Sequence, residues 1–319
     1  MPEFSEISHF GFSKSQKYFW VTLYDKSVHI IQYKSKKIIQ SFNQSNLGIC
    51  SEVIFLSNDK YVALSYRWGH IIKIFSLNSG VEIKSYSKGY RNHLLFSSKQ
   101  NDNIFFSNSH WLDAQQKIFI ADSENIIDSV EINCTSPQIF IKDNTLFYLD
   151  SSELLELNLS TKTTKFINKK SIVGRIICYA SHHFKYAVTY ENETYFLFNY
   201  QTDMLINLPE DIIFHSPIDD SLLCFYKYDD EGNLILSIYD MQNEGGVFQI
   251  GYVSKKDLFQ AEVTGTTSIT DFDPSISFSP NLFKVLINNN NVFVYYVSNN
   301  QILVKDMKNQ KTRTFYGFG

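Results

Sequence analysis

Little in this chain of 319 residues announces a crosslink, a sharp bend or a catalytic motif. Only 13 Gly and 6 Pro are present, so most chain reversals must be made by other residues. The four cysteines, Cys50, Cys134, Cys178 and Cys224, lie tens of residues apart without a C-x-x-C pair. That spacing excludes a disulfide framework or zinc knuckle and predicts reduced, partly buried thiols. Phosphate-cradling GxxxxGK[ST], dinucleotide-binding GxGxxG, the zinc-binding HExxH and the nucleophile elbow GxSxG are all missing, which removes the enzyme classes they mark. No excess of positive charge exists either: the formal net charge is −4, against a protein that grips nucleic acid through a basic face. The first twenty residues lack a basic stretch followed by an apolar one, and no apolar run is long enough to span a bilayer. The expectation is a soluble, cytoplasmic chain with no nucleic-acid or membrane partner, no cofactor and no metal.

What is abundant is strand-forming sequence. Hydrophobic residues make up 44% and aromatics 16%, enough for a substantial core built from residues that favour extended backbone. The clearest stretch runs from Val53 to Tyr86. It contains Val53-Ile-Phe-Leu, Tyr61-Val-Ala-Leu-Ser-Tyr, Ile71-Ile-Lys-Ile-Phe-Ser-Leu and Val81-Glu-Ile-Lys-Ser-Tyr. Between them lie Ser57-Asn58-Asp59, Trp68-Gly69 and Asn78-Ser79-Gly80, so it reads as four short strands joined by polar turns.

This stretch resembles one blade of a WD-repeat β-propeller. Ile72-Lys-Ile-Phe-Ser-Leu77 stands where that family has a strand ending in Trp-Asp, and Asn78-Ser79-Gly80 matches its following turn. Phe75 replaces the Trp, Ser76 replaces the Asp, and no Gly-His pair stands between that turn and the next unit. The resemblance implies a degenerate WD-repeat-like propeller: all-β, about seven blades, each a four-stranded antiparallel sheet.

The rest of the chain keeps that beat of roughly 40–45 residues. Four runs open the chain, beginning at Ile7, Tyr18, Val28 and Lys37; third to sixth units follow from Asn92, Gln138, Arg175 and Ile212. Ser254 to Thr270 is weakly patterned and is expected to be an inter-blade insertion, around residues 254–270, within a single propeller domain spanning 1–319. The final unit has two parses. One starts at Ser275-Ile-Ser-Phe-Ser and leaves Thr312 to Tyr316 as an extra strand; the other starts at Phe283 and uses Thr312 to Tyr316 as its outer strand. Either Pro2-Glu3-Phe4 or the tail could seal a ring. No helical periodicity is evident.

Chemistry-bearing clusters are few. His182-His183 has no adjacent acid and reads as a turn, not as metal ligands. Asp229-Asp230-Glu231-Gly232-Asn233 lacks the alternating oxygen spacing of a calcium loop and reads as a hairpin turn. The resemblance implies that loops between second and third strands share a face with loops between blades. On that face would fall Tyr66-Arg67-Trp68-Gly69-His70, Tyr90-Arg91-Asn92-His93 and Asn108-Ser109-His110-Trp111, with Arg175 joining from a later junction. The three loops alone hold two of three Trp and two of four Arg, and Trp, Tyr and Arg are the side chains most enriched at binding hot spots. The expected partner-binding residues are therefore Tyr66, Arg67, Trp68, His70, Tyr90, Arg91, His93, His110, Trp111 and Arg175. They suggest a non-catalytic scaffold or adaptor for a protein or peptide. The competing expectation is a propeller hydrolase or lyase with a small-molecule or glycan site in the central funnel, using His9, His93 or His215.

Overall fold

The computed structural model describes residues 6–13, 15–43, 46–56, 58–66, 71–87, 93–97, 103–107, 115–122, 126–133, 140–142, 145–150, 153–166, 175–179, 186–192, 194–199, 204–208, 213–214, 222–240, 247–253, 283–288, 291–298 and 300–317. Among them every regular element is a β-strand. The strands form four-stranded sheets, each an antiparallel meander with neighbours in chain order.

The first sheet comprises β1 (Ile7–Phe12), β2 (Tyr18–Leu23), β3 (Ser27–Gln32) and β4 (Ile38–Asn43). β5 (Cys50–Leu56), β6 (Tyr61–Tyr66), β7 (Ile71–Ser76) and β8 (Glu82–Tyr86) make the second. The third holds β9 (His93–Ser97), β10 (Ile104–Ser107), β11 (Gln115–Ala121) and β12 (Ile126–Asn133). A fourth consists of β13 (Phe140–Lys142), β14 (Thr145–Asp150), β15 (Glu153–Asn158) and β16 (Thr163–Phe166). Next come β17 (Arg175–Tyr179), β18 (Tyr186–Glu191), β19 (Thr194–Asn199) and β20 (Met204–Asn207). They are followed by β21 (Ile213–Phe214), β22 (Leu222–Tyr228), β23 (Leu234–Asp240) and β24 (Val247–Val253). The last sheet is β25 (Phe283–Asn288), β26 (Asn291–Ser298), β27 (Gln301–Asp306) and β28 (Lys311–Gly317). Backbone packing groups the chain into two compact units, Met1–Ile172 and Val173–Gly319.

Of the two parses of the final unit, the structure contains the one beginning at Phe283. The Asp306 carboxylate accepts the backbone amides of Lys308 and Asn309 at 3.0 and 3.2 Å. It thereby closes the hairpin that returns β28 along β27, and Thr312 to Tyr316 become the outer strand. Ser275 to Ser279 and the proposed 254–270 insertion lie outside the described residues.

In the first unit the sheets stack face to face, and the alternation of side chains along each central strand explains how. Val62, Leu64 and Tyr66 of β6 pack with Trp20, Val28, Ile30 and Phe42 of the first sheet. The intervening Ala63 packs with Ile104, Phe106 and Phe119 of the third. Ile118 and Ile120 of β11 then meet Leu146, Tyr148, Leu155 and Leu157 of the fourth. A strand covered on both faces reads as a near-continuous apolar run, which is the character of β6. Each fully buried aliphatic side chain contributes about 1.5–3 kcal/mol. Aromatic pairs bridge the same interface: Tyr18 stacks on Phe55 at 5.9 Å, and Phe42 meets Phe75 at 4.5 Å.

The fourth strand of a sheet is the least buried. β5 lies against β9, and β9 against β13, so first strands of successive sheets approach one another. Outer strands are thinly covered: β16 is exposed at all four positions, and β4 exposes Ile38 and Ile39. Polar bonds tie one sheet to the next near their margins, including Gln40 Nε2 to the Asn78 carbonyl at 3.2 Å and Tyr86 Oη to the Asp122 carbonyl at 2.8 Å.

The scarcity of glycine shows in the turns. Nine non-glycine residues among those described have positive φ, among them Lys26, Lys36, Asn58, Asp59, Lys162 and Gln310. Side chains that tolerate the left-handed region poorly are held there by hairpin hydrogen bonds. Glycine is indispensable for a different reason at Gly11, which pairs across the strand with Trp20. A Cβ at Gly11 would come within 2.7 Å of the Trp20 ring. Gly11→Ala is expected to lower stability by about 1–3 kcal/mol through overpacking, measured by urea unfolding; an unchanged midpoint would show that the ring has room to move.

Candidate functional site

Both β2 and β4 run antiparallel to β1, and the pattern repeats in each sheet. The connection after a second strand and the connection after a fourth strand therefore leave from the same end. In the first unit this end carries the Tyr24–Lys26 turn and the chain following Tyr66, Tyr86 and Ser107. Tyr66 pairs with Ile71, and Ser107 pairs with His93 on one side and Ile118 on the other. His93 thus begins β9 at that end, and Arg175 begins β17 in the second unit, paired with Tyr190. Arg67, Trp68, His70, Tyr90, Arg91, His110 and Trp111 lie outside the described residues.

Tyr66, expected on the exposed rim, is instead part of the core. It is fully buried, on the face of β6 that Val62 and Leu64 also present to the first sheet. Its hydroxyl has no hydrogen-bond partner among the described residues. Burial, followed by the nearby Cys50 and Glu82, pushes its phenol well above the ordinary value of 10.0. Cys50 lies directly across the strand pair from Tyr66, is also fully buried, and donates its thiol to the Glu52 carbonyl at 3.2 Å. Burial raises this thiol far above 9.0, which makes it an inert core residue. Tyr86, packed against Phe106, has its phenol pushed up to about 12 by burial and then by Asp122.

A polar chain that the linear pattern did not reveal begins at the same end. Asp25 Oδ1 accepts the amide and the hydroxyl of Ser27 at 2.8 and 2.6 Å. Ser27 Oγ lies 3.1 Å from His29 Nε2, and His29 Nδ1 lies 2.8 Å from Ser41 Oγ. Because the Ser27 proton is committed to Asp25, its oxygen accepts Nε2–H, and Nδ1 is left to accept the Ser41 hydroxyl. Burial lowers the pKa of His29 against the opposing pull of Asp25, keeping the ring neutral near pH 7. A serine stands between the carboxylate and the ring, so Asp25 does not orient the imidazole as in a hydrolytic triad. The network ties the β2–β3 turn to the outer strand β4. Its only signal in sequence is the alternation Asp25-Lys-Ser27-Val-His29, which puts Ser27 and His29 on one strand face.

Other candidates resolve into local structure. Asp229 accepts the amides of Glu231 and Asn233 at 3.0 and 2.7 Å and the Asn233 side chain at 2.9 Å. Both of its oxygens serve the hairpin. His9 in β1 sits beside the Ser8 hydroxyl, whereas His182, His183 and His215 lie outside the described residues. Among the described residues no group of three His, Cys, Asp or Glu could hold a metal ion. No helix there is long and apolar enough to cross a membrane.

Comparison with solved structures settles the architecture. Hsv2 from Kluyveromyces marxianus superposes with a TM-score of 0.60 at 12% identity, covering 94% of this chain and 92% of that one. The fold is that of a WD-repeat-like β-propeller. Hsv2 from Kluyveromyces lactis matches equally well, with a TM-score of 0.60 at 12% identity over 97% of this chain and 98% of the other. The WD40 domain of fission-yeast SCAP aligns with a TM-score of 0.52 at 8% identity, covering 98% of this propeller and 87% of that domain. No family model matches the chain, and no curated protein sequence does.

Two pH limits follow from the propeller's buried groups. Cys50, Tyr66 and Tyr86 all titrate above their unfolded values of 9.0 and 10.0. Their contribution is complete below those values and is lost as pH rises through the folded values. Chemical-denaturation midpoints should therefore fall from about pH 9 upward, and Tyr86→Phe should flatten part of that slope. His29 has the opposite sign: its folded pKa lies below 6.5, so its contribution is present above 6.5 and lost on acidification. His29→Asn should reduce the loss of stability below pH 6.5, and an unaltered acid limb would exclude His29 as its source.

Proposed function

We propose that this chain is a non-catalytic scaffold that binds a protein or peptide on one face of its propeller, within the cytoplasm. In this reading residues 1–319 form one domain of seven blades, and the partner meets the loops that follow second and fourth strands. Arg67, Trp68, His70, Tyr90, Arg91, His93, His110 and Trp111 supply the contacts, and Arg175 contributes from the fifth sheet. Tyr66 acts beneath them, anchoring the end of β6.

The observation that supports this most is the stacking of the second sheet between the first and third. Tyr66, Ile71, Ser107 and Gln115 are the strand ends from which the two tryptophan-bearing loops depart, and rigid sheets hold such ends at fixed spacing. Trp and Arg presented from a rigid scaffold lose little entropy on binding, and each can contribute about 2 kcal/mol or more when buried by a partner.

The test is an affinity capture with crosslinking, in which partner peptides crosslinked to these loops are identified by mass. Trp68→Ala combined with Arg91→Ala should reduce capture at least about 30-fold, from about 2 kcal/mol at a single hot spot, with circular dichroism and melting unchanged. Undiminished capture by that folded double variant would refute the site.

A further inference from the structure

The last sheet offers a second recognition surface, at its margin instead of at its loops. β28 is its outer strand, and no described strand pairs with its far edge. Residues 311 to 314 are all exposed. The register β26–β27–β28 sets two rows of side chains across one face, Phe293–Asp306–Lys311 and Tyr295–Val304–Arg313. A pocket of about 420 Å³ opens on that face, lined by Phe293, Val304, Asp306, Lys311 and Arg313 among others.

Its charge is unbalanced for a structural reason. Asp306 is the cross-strand partner of Lys311, yet its oxygens accept the Lys308 and Asn309 amides and the Asn309 side chain, at 2.9 to 3.2 Å. The carboxylate is spent on the hairpin turn. Neither Lys311 nor Arg313 forms an ion pair among the described residues. Two cations against one committed carboxylate leave a net positive site. Alternate strand positions place the two cations roughly 7 Å apart on the same face, beside the apolar floor of Phe293 and Val304. Arg313 is moreover one of only four arginines in the chain.

We propose that an extended acidic peptide adds as a further strand to the edge of β28. Its backbone pairs along the edge of β28, alternate carboxylates face Lys311 and Arg313, and the side chains between them point to the opposite face of the sheet. Strand addition supplies affinity without sequence preference, and the paired cations supply the preference for acid. A free phosphate or small acid could meet the cations but would leave the strand edge unused.

The experiment is fluorescence anisotropy with the full chain and a labelled decapeptide of alternating Glu and Val. Three comparisons are made: the Lys-for-Glu peptide, the Glu peptide N-methylated at alternate amides, and free glutamate as competitor. The Glu peptide is expected to bind and the other three to be at least about tenfold weaker, two opposite-charge cross-strand pairs being at stake. Lys311→Glu with Arg313→Glu should abolish the preference for Glu over Lys. Lys311→Gln with Arg313→Gln should weaken Glu-peptide binding about tenfold, and serves as the second variant should charge reversal impair folding. Failure of the Glu peptide to bind would overturn the proposal and leave the edge cations as a guard against pairing between copies. Equal binding of the N-methylated peptide, or competition by free glutamate at peptide-like concentration, would overturn strand addition in favour of a simple anion pocket.

Discussion

Face-to-face burial of one four-stranded sheet against the next is the constraint on which the rest depends. A single meander of this kind, with an apolar face on each side, would leave both faces wet and would be marginal alone. Placing the second sheet between the first and third covers both faces of β6 and β7 at once. That is why Ala63 and Leu64, adjacent in sequence, are both fully buried yet serve different interfaces. Ring stacking of Tyr18 on Phe55 and the packing of Trp20 over Gly11 are details of this one requirement. Polar atoms are admitted to the interface chiefly as ties, such as Tyr86 to the Asp122 carbonyl.

The same constraint separates the molecule into a stiff interior and a permissive margin. Inner strands are hemmed in by neighbouring sheets, whereas outer strands such as β16 and β28 carry exposed, polar and charged side chains. Function can be added at the margin, or at the loops, without disturbing the sandwiches beneath. A docking face on the loops and an acid-recognising edge on β28 are therefore compatible with one scaffold. They would differ in kind: the proposed loop face would rely on aromatic and guanidinium side chains, and the proposed edge on backbone pairing and paired charge.

Much of this was legible along the chain. Period-two apolar runs separated by Asn, Asp, Ser and Lys turns located nearly every strand, because side-chain alternation and turn chemistry are local properties. The seam of the final sheet was not legible, since both Ser275 to Ser279 and Thr312 to Tyr316 have strand character, and only the hairpin built by Asp306 decides between them. Tyr66 misled for a related reason. Its position beside Arg67 and Trp68 suggests a loop residue, but parity along β6 aligns it with Val62 and Leu64 and sends it inward. The Asp25–Ser27–His29–Ser41 chain was hidden because Ser41 belongs to another strand.

Sequence alone determined that the chain is all β, that its strands come in fours, and that glycine-poor turns join them, because these follow from backbone preference and spacing over a few residues. Tertiary structure alone decided which face of each strand is core, which tyrosine is buried, and that Lys311 and Arg313 form no ion pair among the described residues. Those outcomes depend on register between strands and on the sheet lying opposite, and neither is encoded within any one segment.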